Sequence, residues 1–237
     1  VNGNSLFDEV GYDMATVSAG DFEVTLVTAA DAADFVVGEI VGLQSFEVWP
    51  LAAPRDQGKY LNQNEIAAIN VGTGVISLKY PVPDVYASSG GSRPTLHRFT
   101  GSNQGYGSLP QFIHKNCGAR NLRLTQTTGL TSGWYAIFPC GINQIWENLW
   151  MDECSTLAGS NNLSYSTVRN LTGSFEAGAL DFAEWQNNNL IENVTAHRVA
   201  ANASLNRMGV SINNGTDVTM RNCQIFLGGW GRGASLY

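Results

Sequence analysis

Charge is what this 237-residue chain has least of: Asp, Glu, Lys and Arg together make up 14% of it, with only 13 Lys and Arg against 20 Asp and Glu. A formal net charge of −7 excludes the clustered basic surface that nucleic acid demands and leaves neutral or cationic surfaces, polysaccharides among them, as partners. No run approaches the roughly 18 apolar residues of a membrane span, so insertion into a membrane is not expected. Histidine is scarce at 3 residues, and the 4 Cys (117, 140, 154 and 223) lack metal-ligand spacing. The expectation is therefore no metal and no cofactor, with buried free thiols in preference to a Cys117–Cys140 bridge. Neither a charged-then-apolar leader nor an initial Met stands at the start, and the last repeat stops partway, which reads as a piece of a longer or processed protein.

What the chain does have is Gly, Asn, Ser and Thr, the composition of a β-rich, turn-rich extracellular or virion protein. Within it one phrase returns five times: apolar, charged, Asn, apolar, as ARNL, WENL, VRNL, IENV and MRNC. The Asn falls at Asn121, Asn148, Asn170, Asn193 and Asn222. Repeats of roughly 20 to 30 residues with strand-like content mark a solenoid. Two residues before the Asn stand Ala119, Trp146, Val168, Ile191 and Met220; one after it stand Leu122, Leu149, Leu171, Val194 and Cys223. Both columns are apolar and are expected to point inward, with Leu124, Met151, Gly173, Ala196 and Ile225 continuing at period two. The Asn interrupts that alternation, as at a tight bend where Asn tolerates unusual backbone angles and bonds its counterpart one coil away.

Immediately before each Asn the charge alternates: Arg120, Glu147, Arg169, Glu192, Arg221. Coils stacked about 4.8 Å apart turn this into a ladder in which opposite charges are neighbours, so Glu147 and Glu192 read as structural. A second strand per coil follows a Gly, in GWYAIF at 133 to 138, GALDF at 178 to 182, GVSIN at 209 to 213 and GASLY at 233 to 237. Five Asn-x-Ser/Thr sequons (at Asn162, Asn170, Asn193, Asn202 and Asn214) read as a by-product of the Asn- and Thr-rich repeat.

The phrases VTMRNCQIF, LIENVTAH and STVRNLTGS resemble the right-handed parallel β-helix of the pectate-lyase-like superfamily, over about half of the chain. Upstream, FVVGEIVGL and EIAAINVGTGVISLKYPV are similar to a small β insertion found near the start of β-helices in many phage tail proteins and some secreted polysaccharide enzymes; this likeness covers residues 22 to 86. The fold class expected is thus all-β, a right-handed parallel β-helix preceded by a small β insertion with a hairpin around residues 71 to 74. The organisation reads as a lead-in strand region (1–30), the insertion (31–86), a long loop (87–114) and the coils (115–237). In the Ser-, Gly- and Tyr-rich loop, Arg93, His97, Arg98 and Tyr106 are candidate ligand contacts.

Chemistry is expected on the outward positions after the Asn: Arg123, Trp150, Thr172, Thr195 and Gln224, then Thr125, Asp152, Ser174, His197 and Phe226. A Trp ring can stack on the apolar face of a sugar while carboxylate, hydroxyl and imidazole groups meet its hydroxyls. Asp152, Ser174 and His197 share a column, but outward ladder positions supply no oxyanion hole and a serine triad is not expected. Glycosidase chemistry uses two carboxyl groups, about 5 to 5.5 Å apart for retention or roughly 6.5 to 9.5 Å for inversion. The candidates outside the charge ladder are Asp152 and Glu153 in one turn and Asp181 and Glu184 one coil later. Ligand contacts are expected from Trp150, Trp185, His197 and Arg198. No Asp cluster suits the Ca²⁺-assisted proton abstraction that lyase chemistry on this fold resembles.

What the resemblance implies is a bacteriophage tailspike or tail-fibre-like protein, a homotrimer in the virion tail beside other tail proteins. It would bind, and in some relatives depolymerise, a bacterial surface polysaccharide. A secreted polysaccharide lyase or glycosidase and a non-catalytic adhesin or filament subunit stand as the alternatives, since fold does not fix chemistry.

Overall fold

The structure, a computed structural model, describes residues 11–45, 59–98, 105–106, 109–110, 114–125, 135–137, 139–160, 163–182, 186–199, 208–212, 215–227 and 232–236. They fall into two compact units, 1–113 and 114–237.

In the first unit six strands pair antiparallel in the spatial order Tyr12–Asp13, Thr95–Arg98, Ile40–Ser45, Lys59–Asn70, Val75–Leu78, Glu23–Thr25. The two outer strands then meet each other. Met14 bridges Leu26, Ala15 N–H donates to the Thr25 carbonyl at 2.8 Å, and Val27 N–H donates to that of Asp13 at 2.9 Å. The sheet closes on itself and leaves no long free edge, the usual remedy for unpaired strands. Met14, Val24, Leu26, Val41, Leu43, Ile66, Ile76, Leu78 and Leu96 fill its interior. The expected hairpin is present, turning through residues 71 to 74 where Asn70 Oδ1 accepts the Gly72 and Thr73 amides.

One expectation is corrected here. Thr95–Arg98, inside the stretch read as a loop, is a strand between Tyr12–Asp13 and Ile40–Ser45. Its TLHR sequence offers a single apolar residue, Leu96, and that one residue is completely buried. His97 and Arg98, read as candidate ligand contacts, both take part in the packing of this unit. The His97 ring is buried with its Nε2 2.8 Å from Thr95 Oγ1. Arg98 Nε donates to Glu39 Oε1 at 2.7 Å and lies over the Phe35 ring.

The second unit is a stack of parallel coils beginning at His114, Gly141, Leu163, Gln186 and Gly215, which pair one with the next in a single register. Each coil contributes to three parallel ladders. A two-residue strand comes first, as in Gly141–Ile142 and Leu163–Ser164. The main strand follows, with Arg120, Glu147, Arg169, Glu192 and Arg221 in register. A third column runs Ile137, Ala158, Leu180, Val210, Ala234. The coil-2 member of that column lies in Ile145–Ser160 and escaped the sequence reading, because its Gly159 sits inside the strand and not before it.

The core is the set of inward columns: Leu149, Leu171 and Val194, with Val168, Ile191, Met151, Phe175, Leu180 and Phe182. Each interior apolar side chain of this size contributes about 1.5–3 kcal/mol when fully buried. A bend within the main strand, immediately after the charged column, is held by the Asn column. All five Asn have φ between 53° and 56°. Each side-chain Nδ2 donates to the Oδ1 one coil earlier, at 3.0, 2.9, 3.0 and 3.2 Å from Asn148 to Asn222. A second left-handed corner recurs five residues earlier, at Asn116, Asn143, Tyr165, Asn188 and Asp217. Between the corners, Gln144, Ser166 and Asn189 are buried and bond backbone: Gln144 N–H donates to Ser166 Oγ, and Ser166 N–H to Asn189 Oδ1. The charge ladder resolves into pairs, Arg169 Nε to Glu147 Oε2 at 2.8 Å and Arg221 Nε to Glu192 Oε2 at 2.6 Å. The four thiols are free, and Cys117 is exposed, contrary to the expectation that all would be buried.

Candidate functional site

The outward face of the main ladder carries two columns. In the first, Arg123, Trp150, Thr172, Thr195 and Gln224 follow one another from coil to coil. In the second, Thr125 pairs with Asp152, and Ser174, His197 and Phe226 continue below. Between Asp152 and Ser174 the register breaks. Met151 pairs with Gly173 and Cys154 with Phe175, so Asp152 and Glu153 together oppose Ser174 alone. This is a β-bulge. Glu153 takes up the extra residue with a φ of 53°, and its amide donates to Ser174 Oγ at 2.7 Å. Two residues further on coil 3 makes the opposite insertion, which restores the pairing from Thr156 with Gly178 onward.

The bulge sets Asp152 at the centre of a closed group. Arg123 Nε and Nη2 donate to Asp152 Oδ2 at 2.9 and 2.7 Å, and Trp150 Nε1 donates to Oδ1 at 2.9 Å. The Arg123 guanidinium lies 5.9 Å from the centroid of the Trp150 ring, within the range of a cation–π contact. Above all the Arg123 hydrogen bond holds the Asp152 carboxyl below its ordinary pKa; desolvation opposes it, and the Trp150 hydrogen bond, the charge of Arg123 and a Thr125 hydrogen bond add to the lowering. An ionised carboxylate that only accepts is suited to orient its neighbours, not to donate a proton. Trp150 itself is 53% exposed, a large apolar surface left in water beside its own fixed polar edge.

Of the other residues read as site candidates, His197 is exposed and stacks on Phe226, with centroids 4.5 Å apart and ring planes 3° from parallel. Asp152, Ser174 and His197, one column in the sequence, therefore have separate engagements: Arg123 and Trp150, the bulge amide, and Phe226. Asp181 points outward and is half-buried, between the inward Leu180 and Phe182. Its register neighbours are Gly159 and Ser211, so a second carboxylate for it has to come from another column. Arg198 is half-buried at the end of the coil-4 strand, in register with Phe175. Glu184 and Trp185 lie outside the described residues. Arg123 and Phe226, which complete the two aromatic groups, were named in their columns but not singled out. The cue was available: each is the register partner, one coil away, of a candidate aromatic ring.

No family model matches the sequence, and no curated protein matches it. Solved structures do. The tailspike gp61 of Pseudomonas phage phi297 superposes with a TM-score of 0.51 at 13% identity, over 91% of this chain and 41% of its own. The tailspike gp49 of Pseudomonas phage LKA1 gives 0.41 at 8% identity, covering 90% and 41%. The gp54 tailspike of Acinetobacter baumannii bacteriophage AP22, solved with an A. baumannii capsular saccharide, gives 0.39 at 8%, covering 91% and 38%. The chain thus spans about two fifths of the length of the tailspikes it matches. Taken with its stacked parallel coils, the first of these likenesses identifies the architecture as a parallel β-helix of the kind built in phage tailspikes.

Proposed function

We propose that this chain is part of a bacteriophage tailspike or tail fibre, located in the virion tail, and that it binds a bacterial surface polysaccharide on the outward face of its main ladder. The observation that carries the proposal is Trp150: half of its surface is open to water while Asp152 and Arg123 fix its polar edge. An exposed, oriented indole, with the Thr172 hydroxyl one coil on and that of Thr195 a coil further, is an arrangement that can stack a pyranose and meet its OH groups. The tailspike fold of the similar structure supports the same reading. The acidic balance of the chain favours a neutral glycan over an anionic one.

Homotrimeric assembly and attachment to other tail proteins belong to the same proposal. Depolymerisation would draw on Glu153, Asp181 and Glu184, since Asp152 is engaged as an acceptor. The test is light scattering on the purified protein, then incubation of the same sample with a panel of bacterial capsular and O-antigen polysaccharides. A trimer, at about three times 25.5 kDa, that binds one of them and loses binding in Trp150→Ala is the expected result. A monomer that instead cleaves plant or algal polymers refutes it in favour of a secreted enzyme, and an assembly inert to every glycan leaves a structural subunit.

A further inference from the structure

Arg123 has no place in the charge ladder that staples the coils, and in the sequence it is one polar residue of an outward column. Its contacts give it a different task. Two of its N–H groups grip one oxygen of Asp152, whose other oxygen holds the Trp150 indole N–H. The same guanidinium lies over the Trp150 ring. The three side chains close a loop in which each restrains the next. A Trp side chain has two χ angles, and a hydrogen bond at Nε1 together with a cation over one face restrains its ring.

We propose that Arg123 is a positioning residue for glycan binding, which by way of Asp152 locks Trp150 as a platform open on one face only, for the C–H face of an uncharged sugar. This rests on the polysaccharide-binding reading above. Arg123 belongs to the coil before Trp150 and Thr172 to the coil after it. A guanidinium arriving from the earlier coil covers the ring face on that side. The open face is therefore turned toward Thr172, Thr195 and, in the neighbouring column, His197 with Phe226. The glycan lies on the side of coils 3 to 5, and three steps of about 4.8 Å separate Trp150 from Gln224. The ion pair also cancels its own charge, which leaves the exposed Glu153 of the bulge as the net charge beside it and disfavours an anionic sugar there. Lys cannot replace Arg here without loss, since it lacks both the planar fork and the flat surface.

The test reads Trp150 and the glycan separately. Protein labelled with 5-fluorotryptophan gives a ¹⁹F resonance for Trp150, assigned by its loss in Trp150→Phe. Arg123→Ala and Asp152→Asn are expected to shift and broaden that resonance, Arg123→Lys to fall between, and Arg169→Ala, which removes a comparable surface ion pair, to leave it alone. With the panel polysaccharide that binds wild type, Arg123→Ala weakens affinity about two- to tenfold, the factor set by leaving one side chain to be ordered on binding. Trp150→Ala weakens it more. A Trp150 resonance indifferent to Arg123→Ala overturns the inference, as does glycan binding that Trp150→Ala removes and Arg123→Ala leaves intact. If Trp150→Ala leaves binding unchanged, or if no polysaccharide binds wild type, the functional reading falls and the role of Arg123 falls with it.

Discussion

Asn170 is the middle rung of the amide ladder and the best place to measure what the ladder contributes. Replacing it with Ala keeps the β-carbon but removes the short polar side chain by which Asn tolerates a backbone held at a φ of 55°. An L-residue without such a side chain pays about 1–2 kcal/mol in that left-handed region. The same change deletes two hydrogen bonds, one donated to Asn148 Oδ1 at 2.9 Å and one accepted from Asn193 Nδ2 at 3.0 Å. The column is exposed, so each is placed at the low end of the range, roughly 0.5–1 kcal/mol. The sum is about 2–4 kcal/mol. Asn170→Gly loses the same bonds but not the backbone freedom to sit at positive φ, and is expected to cost roughly 1–2 kcal/mol. Urea unfolding followed by tryptophan fluorescence suits the measurement, because five of the six Trp lie in residues 114–237 and report on the coils. Asn170→Ala must be the worse of the two by about 1–2 kcal/mol. Equal losses would refute the assignment of the column to backbone strain, and negligible losses in both would refute the ladder as a source of stability.

The lowered pKa of Asp152 gives a sign for pH dependence: its carboxylate contribution is present at neutral pH and is lost as pH falls through the folded-state value, which lies below the ordinary one. The ¹⁹F signal of Trp150 should therefore hold constant through the acid range down to the ordinary Asp value of about 3.9 and change only below it. Gly141→Ala should prevent the stack from forming, because a Cβ there would meet the His114 carbonyl oxygen at 1.9 Å at a φ of 125°; soluble expression with a native circular dichroism spectrum would contradict the register. Thiol titration should find Cys117 reacting first in the native protein, while Cys154, whose burial pushes its pKa to about 11, stays silent until urea exposes it. Glu147→Gln should lower stability by no more than about 1 kcal/mol, as for exposed pairs generally, a limit that the same urea curves check.

The coils were legible in the sequence because one side chain does two jobs at every corner. Asn is both a left-handed residue and a partner for its own copy, so the column keeps its identity and fixes the spacing of the whole stack. The second corner has the same spacing but accepts Asn, Tyr or Asp, since only its backbone angle repeats, and no letter marks it. Trp150 and the outward set of the main ladder followed from that alternation. What surrounds Trp150 did not: the bulge at Asp152 and Glu153 consists of one residue more on one strand than on its neighbour. Nothing in the local sequence distinguishes that from ordinary alternation until Ser174 is seen opposite both. The closed sheet of the first unit was hidden for another reason. Tyr12–Asp13 and Thr95–Arg98 are far apart in sequence and too short for periodicity, and only their pairing shows that they belong together.

The amides of the Asn column all face the same way. From Asn148 onward each gives its hydrogens to the coil before it and receives from the coil after it, and Asn143 does likewise toward Asn116 at the other corner. Side-chain dipoles thus line up head to tail along the stack, and each rung polarises the next. The stack acquires a direction that its nearly uniform strands do not reveal. The Asn121 side offers donors and the Asn222 side offers acceptors, so a strand laid against the first must bring an oxygen and one laid against the second must bring an amide hydrogen. Turned end over end, the same coil would not fit.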